Sequence, residues 1–211
     1  ITQAVLQRMN DSQLHRGPDE GSLHIEPGLG FGHRRLSIID IATGQQPLFN
    51  EDGSVVVIFN GEIYNFQELI PELQAAGHRF HTKSDTEVIV HAWEQWGERC
   101  VERFRGMFAF ALWDRNRQTL FMARDRLGVK PLYYALLDDG TLLFGSELKS
   151  LLAHGGLKRD IDPLAIEDCF NGRVDTPKVD DYRDYLFIVG QSIRWERYKK
   201  EMDLIEVDIF L

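Results

Sequence analysis

Cysteine is scarce in this chain: Cys100 and Cys169 are the only two among 211 residues. Neither has another cysteine nearby in sequence, which excludes the disulfide framework of a small secreted domain and the paired-cysteine spacing of a zinc site. Long apolar runs are missing too. None approaches the roughly 20 residues that a membrane-spanning helix needs. Ile1-Thr2-Gln3 does not read as a signal peptide, having no basic start, long apolar stretch or cleavage site. Positive charge is thin. The net charge is -9, and the longest basic clusters are the pairs Arg34-Arg35 and Lys199-Lys200. A phosphate backbone would be repelled, so nonspecific nucleic-acid binding is excluded. No repeat and no low-complexity segment occurs. Together these absences lead us to expect a reduced, cytoplasmic protein with neither membrane nor nucleic acid as partner.

What is present suits a folded domain. Hydrophobic residues make up 43% and charged residues 27%, enough to bury a core and keep a solvated surface. The length fits one domain, or one domain with an appendage. Residues 1–14 carry Val5, Leu6, Met9 and Leu14 near one helical face. Arg16-Gly17-Pro18-Asp19 ends that helix. Short strands are expected at Ser22 to Ile25 and Phe31 to Ile39. Val55 to Phe59 is a continuous apolar, β-branched run of the kind a fully buried strand shows. Asn65 can cap a helix running to about Ala76, which Pro71 should kink or stop early. Arg79 to Thr82 reads as a short strand. Ser84-Asp85-Thr86-Glu87 reads as the start of a helix carrying Val88, Ile89, Ala92, Trp93 and Trp96.

From Met107 onward the pattern turns to β. Strands are expected at Met107 to Trp113, Thr119 to Ala123, Leu132 to Leu137 and Leu142 to Phe144. Asp138-Asp139-Gly140 forms a hairpin turn, and Glu147 to His154 a short helix. This order implies an α+β fold with sheets packed on each other and helices outside. After about Phe170 the chain becomes polar, with a strand near Leu186 to Val189 and a helix near Trp195 to Met202.

Several ordered segments carry chemistry. They are Arg16-Gly17-Pro18-Asp19, His33 through Asp40, Asn60-Gly61-Glu62-Ile63-Tyr64-Asn65, Ser84 through Val88, Phe104 through Phe110, Arg124 through Tyr133, and Ser146-Glu147-Leu148-Lys149. In this order they resemble the glutaminase domain of the glutamine-hydrolysing asparagine synthetases, a class II amidotransferase. The resemblance covers residues 1–168, leaving 169–211 as an unassigned tail or fragment junction, not a complete synthetase domain. It implies an N-terminal-nucleophile hydrolase fold, a four-layer αββα sandwich lacking its first strand here. The implied activity is hydrolysis of glutamine to glutamate and ammonia, with the ammonia used for ATP-dependent asparagine synthesis from aspartate. No cofactor is implied for this domain. ATP and Mg belong to a separate synthetase domain, whose Ser-Gly-Gly-x-Asp-Ser loop does not occur in this sequence. The partners implied are glutamine and that synthetase domain; a homodimer stays open.

The resemblance also assigns roles. Arg35 matches the arginine that holds the glutamine α-carboxylate, a task suited to a guanidinium's paired donors. The Asn60 side chain and the Gly61 N–H match an oxyanion hole at the end of a buried strand, where losing one donor typically costs roughly 10²–10³ in rate. Glu62 and Asp85 are the acidic candidates for the substrate ammonium. Ser84 can take the helix cap and leave Asp85 for ligand. The backbone of Leu36, Ser37, Ile38 and Ile39 lines the pocket. Arg16 to Asp19 and Arg124-Asp125 brace the site through ion pairs. No metal ligands are assigned.

The family's nucleophile is an N-terminal cysteine whose own α-amine, titrating near roughly 8, acts as base. This sequence begins with Ile1, so about 15 to 20 residues of the family pattern are expected before it. Whether those residues are carried upstream, were cut away or were lost stays open at this point. Cys100 and Cys169 read as buried apolar residues, not substitutes. The sequence therefore supports three functions: a glutaminase, a noncatalytic glutamine-binding module, or an amidotransferase with another acceptor.

Overall fold

The computed structural model describes residues 1–36, 44–158, 186–188 and 192–196. Its centre is a five-stranded antiparallel sheet ordered β10-β6-β5-β4-β3. These strands are β3 (Leu48–Phe49), β4 (Val55–Ile63), β5 (Gly106–Asp114), β6 (Thr119–Arg124) and β10 (Ser192–Glu196). Side chains alternate between the faces of a strand, so each face builds its own core. Val55, Val57, Phe59 and Ile63 of β4 join Phe108, Phe110 and Leu112 of β5 on one face. Against them pack Leu69 and Leu73 of α2 (Phe66–Ala75) and Val88, Ile89 and Trp93 of α3 (Asp85–Trp96). Trp93 lies 5.0 Å from the Phe121 ring and donates its indole N–H to Asp114 at 2.8 Å.

The opposite face carries Val56, Ala109, Ala111, Trp113, Leu120 and Met122. It meets two smaller antiparallel sheets. One is the hairpin of β1 (Glu20–Glu26) and β2 (Leu29–Arg35), through Leu29 and Phe31. The other has the order β8-β7-β9, from β7 (Tyr133–Leu136), β8 (Leu142–Gly145) and β9 (Leu186–Ile188), and contributes Tyr134, Leu142 and Phe144. The outer face of that sheet, at Ala135 and Leu143, packs on Met9 of α1 (Gln3–Asp11) and Leu151 of α4 (Leu148–Leu152). The layers run helix, sheet, sheet, helix. The α+β expectation holds.

Several local expectations need correction. β4 does not end at Phe59; it continues to Ile63, pairing Asn60 with Ala109 and Gly61 with Phe108. Pro71 does not stop α2 early, since the helix runs on to Ala75. Its ring removes one N–H from the ladder, but buried Leu69 and Leu73 on either side hold the helix on the sheet. Asn65 precedes α2 without capping it through its side chain. Instead it accepts the Arg105 N–H and donates to the Arg103 carbonyl. Arg79 to Thr82 is not a strand, because the His81 and Thr82 N–H groups bond to the Glu87 carboxylate at 2.7 Å each. Leu186–Ile188 is a strand as expected, but Trp195 and Glu196 lie in β10, paired with Leu120 and Thr119, rather than opening a helix. Backbone pairing to an edge strand is invisible in sequence periodicity.

Asp125 braces the fold, though not through an ion pair with a neighbour, as the sequence reading expected. Its carboxylate, 3% exposed, accepts N–H bonds from Phe108, Leu127, Val129 and Lys130 at 2.9 to 3.2 Å. It thereby ties the turn after β6 to β5. Burial alone would push its pKa up; the N–H groups of Lys130, Val129, Phe108 and Leu127 outweigh that and hold it below the usual carboxylate range. A depressed folded-state pKa stabilises the fold above the ordinary value near roughly 4, and that contribution disappears as pH falls through the lower folded value. Asp125→Asn is expected to lower stability at pH 7 by about 2 kcal/mol or more in urea denaturation. The gap to the unsubstituted protein should narrow as pH falls below the ordinary carboxylate range and through the lower folded-state value of Asp125, which then takes up a proton. A gap independent of pH would contradict this role.

Candidate active site

The site forms along the free edge of β4, beyond the short strand β3. In a strand, every second residue directs its N–H and C=O to the same edge. β3 covers that edge at Val56 and Val57. The Gln46 side chain then imitates a strand: its Oε1 accepts the Phe59 N–H at 2.6 Å and its Nε2 donates to the Phe59 carbonyl at 3.1 Å. Further along, the Ile63 N–H donates to Asp85 Oδ2 at 2.9 Å. The Gly61 N–H lies between these two and points to the same side. Gly61 adopts φ +146°, and a Cβ here would overlap the Met107 carbonyl of β5. Only glycine allows this edge to approach its neighbour so closely.

Asn60 projects to the opposite side of the pleat from Phe59 and Gly61, towards the second sheet. Its Nδ2 donates to Ser146 Oγ at 3.5 Å, a long and weak bond. Arg35 ends β2 and is 8% exposed, with Nη1 3.4 Å from Glu20 Oε2. His33 stands between them and Phe59, with Nε2 3.2 Å from the Phe59 carbonyl. A carbonyl only accepts, so this nitrogen carries the proton. Burial, aided by the charge of Arg35, pushes the His33 pKa down to about 4, so the ring is neutral at pH 7.

Asp85 begins α3, and Ser84 caps it. Ser84 Oγ accepts the Thr86 N–H at 3.2 Å, as the sequence led us to expect. One Asp85 oxygen is held by Ile63; the other lies 3.5 Å from Ser84 Oγ. Burial, reinforced by the nearby charge of Glu62, raises the Asp85 pKa against the lowering effect of the Ile63 N–H.

Arg35, Leu36, Asn60, Gly61, Glu62 and Asp85 all line one cavity of ≈ 440 Å³, within the range of small-molecule sites. A guanidinium, two carboxylates and two amide donors thus line one cavity. That arrangement can hold a zwitterion and place a carbonyl oxygen against the donors. Ser37, Ile38 and Ile39 lie outside the described residues. Sequence reading missed Gln46, His33 and Ser146 as lining residues. Ser146 heads a segment already singled out; Gln46 gives no signal, because its role depends on where β4 passes. Cys100 is far from suitable: it is fully buried, and burial pushes its thiol pKa well above the usual value. Cys169 lies outside the described residues.

Comparison with known proteins fits this geometry. A family model described as a glutamine amidotransferase domain matches residues 2–199. The chain belongs to the glutamine amidotransferase domain family. Among curated relatives of this amidotransferase domain, asparagine synthetase [glutamine-hydrolyzing] 3 of Bacillus subtilis (strain 168) is 44% identical over 168 residues, covering 79% of this chain and 27% of the relative. Asparagine synthetase [glutamine-hydrolyzing] 2 of the same organism is 50% identical over 150 residues, covering 71% and 20%. Asparagine synthetase [glutamine-hydrolyzing] 2 of Oryza sativa subsp. japonica is 47% identical over 137 residues, covering 65% and 23%. The amidotransferase domain thus spans about a quarter or less of the curated relatives it matches. Among solved structures, the glutamine phosphoribosylpyrophosphate amidotransferase from B. subtilis, complexed with ADP and GMP, is 28% identical. It covers 60% of this chain and 29% of that one, with a TM-score of 0.49.

The close approach at Gly61 can be separated from its positive φ. Gly77 also has positive φ, but a Cβ there would meet nothing within 4 Å. Gly77→Ala is expected to cost about 1 kcal/mol in thermal or urea unfolding, the cost of φ alone. Gly61→Ala should cost clearly more, because β4 and β5 must separate. Equal costs would mean that the approach of β4 to β5 is slack.

Proposed function

We propose that this domain binds L-glutamine in the cavity along β4 and serves glutamine hydrolysis. The observation that carries this reading is the convergence of Arg35, Asp85 and the Asn60–Gly61 donors on one cavity. Arg35 takes the α-carboxylate through paired hydrogen bonds. Asp85, with the charge of Glu62 beside it, takes the α-ammonium. The side-chain amide carbonyl then lies against Asn60 Nδ2 and the Gly61 N–H, which stabilise negative charge as a tetrahedral intermediate forms. Asn60 gives up only its weak bond to Ser146 to do so. Leu36, with the backbone of Ser37, Ile38 and Ile39, completes the wall.

Hydrolysis also needs a nucleophile, and Cys100 is the one cysteine among the described residues, buried and poorly ionised. We infer that the 211 residues alone bind glutamine without turning it over. In the working protein an N-terminal cysteine thiol attacks the amide carbon, its α-amine passes the thiol proton to the departing ammonia, and water cleaves the thioester to glutamate. The names of the relatives support asparagine synthesis as the fate of the ammonia; from the resemblance we further propose aspartate as the acceptor, in a separate synthetase region that uses ATP and Mg. Amidation of a different acceptor is the second reading, since the acceptor site lies outside this domain.

Calorimetric titration tests the binding reading. L-Glutamine should bind saturably at up to millimolar concentration. Arg35→Lys should weaken binding about 10-fold or more through loss of the paired bonds. The ammonium is held by the ionised form of Asp85, present above its raised pKa and lost below it. Affinity should therefore begin to fall while pH is still above the usual carboxylate range near roughly 4. Asp85→Asn should bind weakly and lose that dependence. No heat at millimolar glutamine would overturn the reading, and steady ammonia release by the 211-residue chain would overturn the inference about the nucleophile.

A further inference from the structure

A second polar cluster lies on the far side of α3 from any role in glutamine binding. His91 is six residues beyond Asp85, about 9 Å further along the helix axis. Its ring is fully buried. Nδ1 lies 3.3 Å from Glu94 Oε2 and 3.6 Å from Glu51 Oε2. His78 Nδ1 is 3.6 Å from the same Glu94 oxygen, and the two imidazole rings are 5.1 Å apart. One ligand atom from each of these four residues falls within 4.8 Å of all the others.

Two features set this group apart from a chance meeting of surface charges. First, three of the four ligands have their other polar atom anchored. Glu51 Oε1 accepts the Arg79 N–H at 2.7 Å, and Glu94 Oε1 accepts from Asn50 Nδ2 at 2.7 Å. His78 Nε2 faces Gln95 Oε1 at 3.3 Å. These contacts leave the second carboxylate oxygens and both Nδ1 atoms turned towards one point. Second, among the described residues the buried His91 Nε2 has no hydrogen-bond partner, yet Glu87 Oε1 stands 3.6 Å away. Glu87 is held in turn by the His81 and Thr82 N–H groups and the Thr82 hydroxyl. A carboxylate behind a histidine that faces a ligand-rich point is the supporting arrangement of a metal-binding imidazole.

We propose that Glu51, His78, His91 and Glu94 form a site for one divalent ion of the zinc type. Tetrahedral zinc with bonds of about 2.0–2.2 Å places its ligand atoms about 3.4 Å apart. Three of the six ligand-atom separations, 3.3, 3.6 and 3.6 Å, match that spacing, and the others, all within 4.8 Å, close onto the ion when it binds. Two imidazoles and two carboxylates suit zinc, cobalt or nickel better than magnesium or calcium. The site is structural. It joins the loop between β3 and β4, the segment after α2, and α3, which carries Asp85 at its other end. Cysteine spacing could not have revealed it, because all four ligands are His or Glu from three separate segments.

The test uses the full chain, freed of metal by a chelator and titrated with zinc chloride alone. One zinc per chain should bind, and the unfolding temperature should rise with zinc. His78→Gln and Glu51→Gln lie outside the hydrophobic core and should leave the fold intact. Each should weaken zinc binding about 10-fold or more, while His15→Gln, at an exposed histidine on another face, should not. The proposal fails if zinc does not bind stoichiometrically at micromolar concentration, the result expected if the carboxylates hold only a ring proton. It fails equally if both ligand variants bind zinc as tightly as the unsubstituted chain.

Discussion

The bond from the Ile63 N–H to the Asp85 carboxylate joins the two elements that make the site. β4 is the central scaffold, paired with β5 along all nine of its residues. α3 is bound to the face of the same sheet by Val88, Ile89 and Trp93. At this bond the helix start is fixed against the strand edge, two residues from Gly61. The same residue that closes the β4 edge thus also lines the cavity. Once the edge is covered at Phe59 by Gln46 and at Ile63 by Asp85, a short gap with its amide donor is all that remains exposed to the cavity.

This arrangement explains why the polar residues of the site tolerate burial. Each has a backbone or side-chain partner that fixes it without neutralising its chemistry. Asp85 keeps one oxygen, Asn60 holds a weak bond to Ser146, and His33 stays neutral beneath Arg35. Asp125 does the same for the loop beneath the cavity, where Lys130 reaches the wall. Buried polar groups held this way give a rigid and charged pocket at moderate cost in stability.

Much of this was legible in the sequence. Val55 to Phe59 announced the buried strand, Ser84 announced the helix start, and the ordered segments around Arg35, Asn60 and Asp85 pointed to one amidotransferase site. What was not legible depends on chain geometry rather than residue type. The extension of β4 through Asn60 and Gly61 was hidden, because Asn-Gly also favours turns. Pro71 looked like a helix stop, since local propensity says nothing of the sheet beneath it. Gln46, Glu51 and His78 come from segments outside the helices and strands, and no periodicity encodes where these meet β4 or His91 and Glu94 of α3. Asp125 looked like half of an ion pair and is instead the acceptor for four backbone N–H groups.

The central claim is that the gap in the β4 edge is where the amide of glutamine docks. The most direct measurement is the backbone amide NMR spectrum of the isotopically labelled chain during addition of L-glutamine. The account predicts saturable shifts of the Gly61 amide together with that of Ile63, whose N–H is bound to Asp85, and the Arg35 side-chain signals. Shifts confined to other regions, or no shift of Gly61 at saturating glutamine, would contradict it.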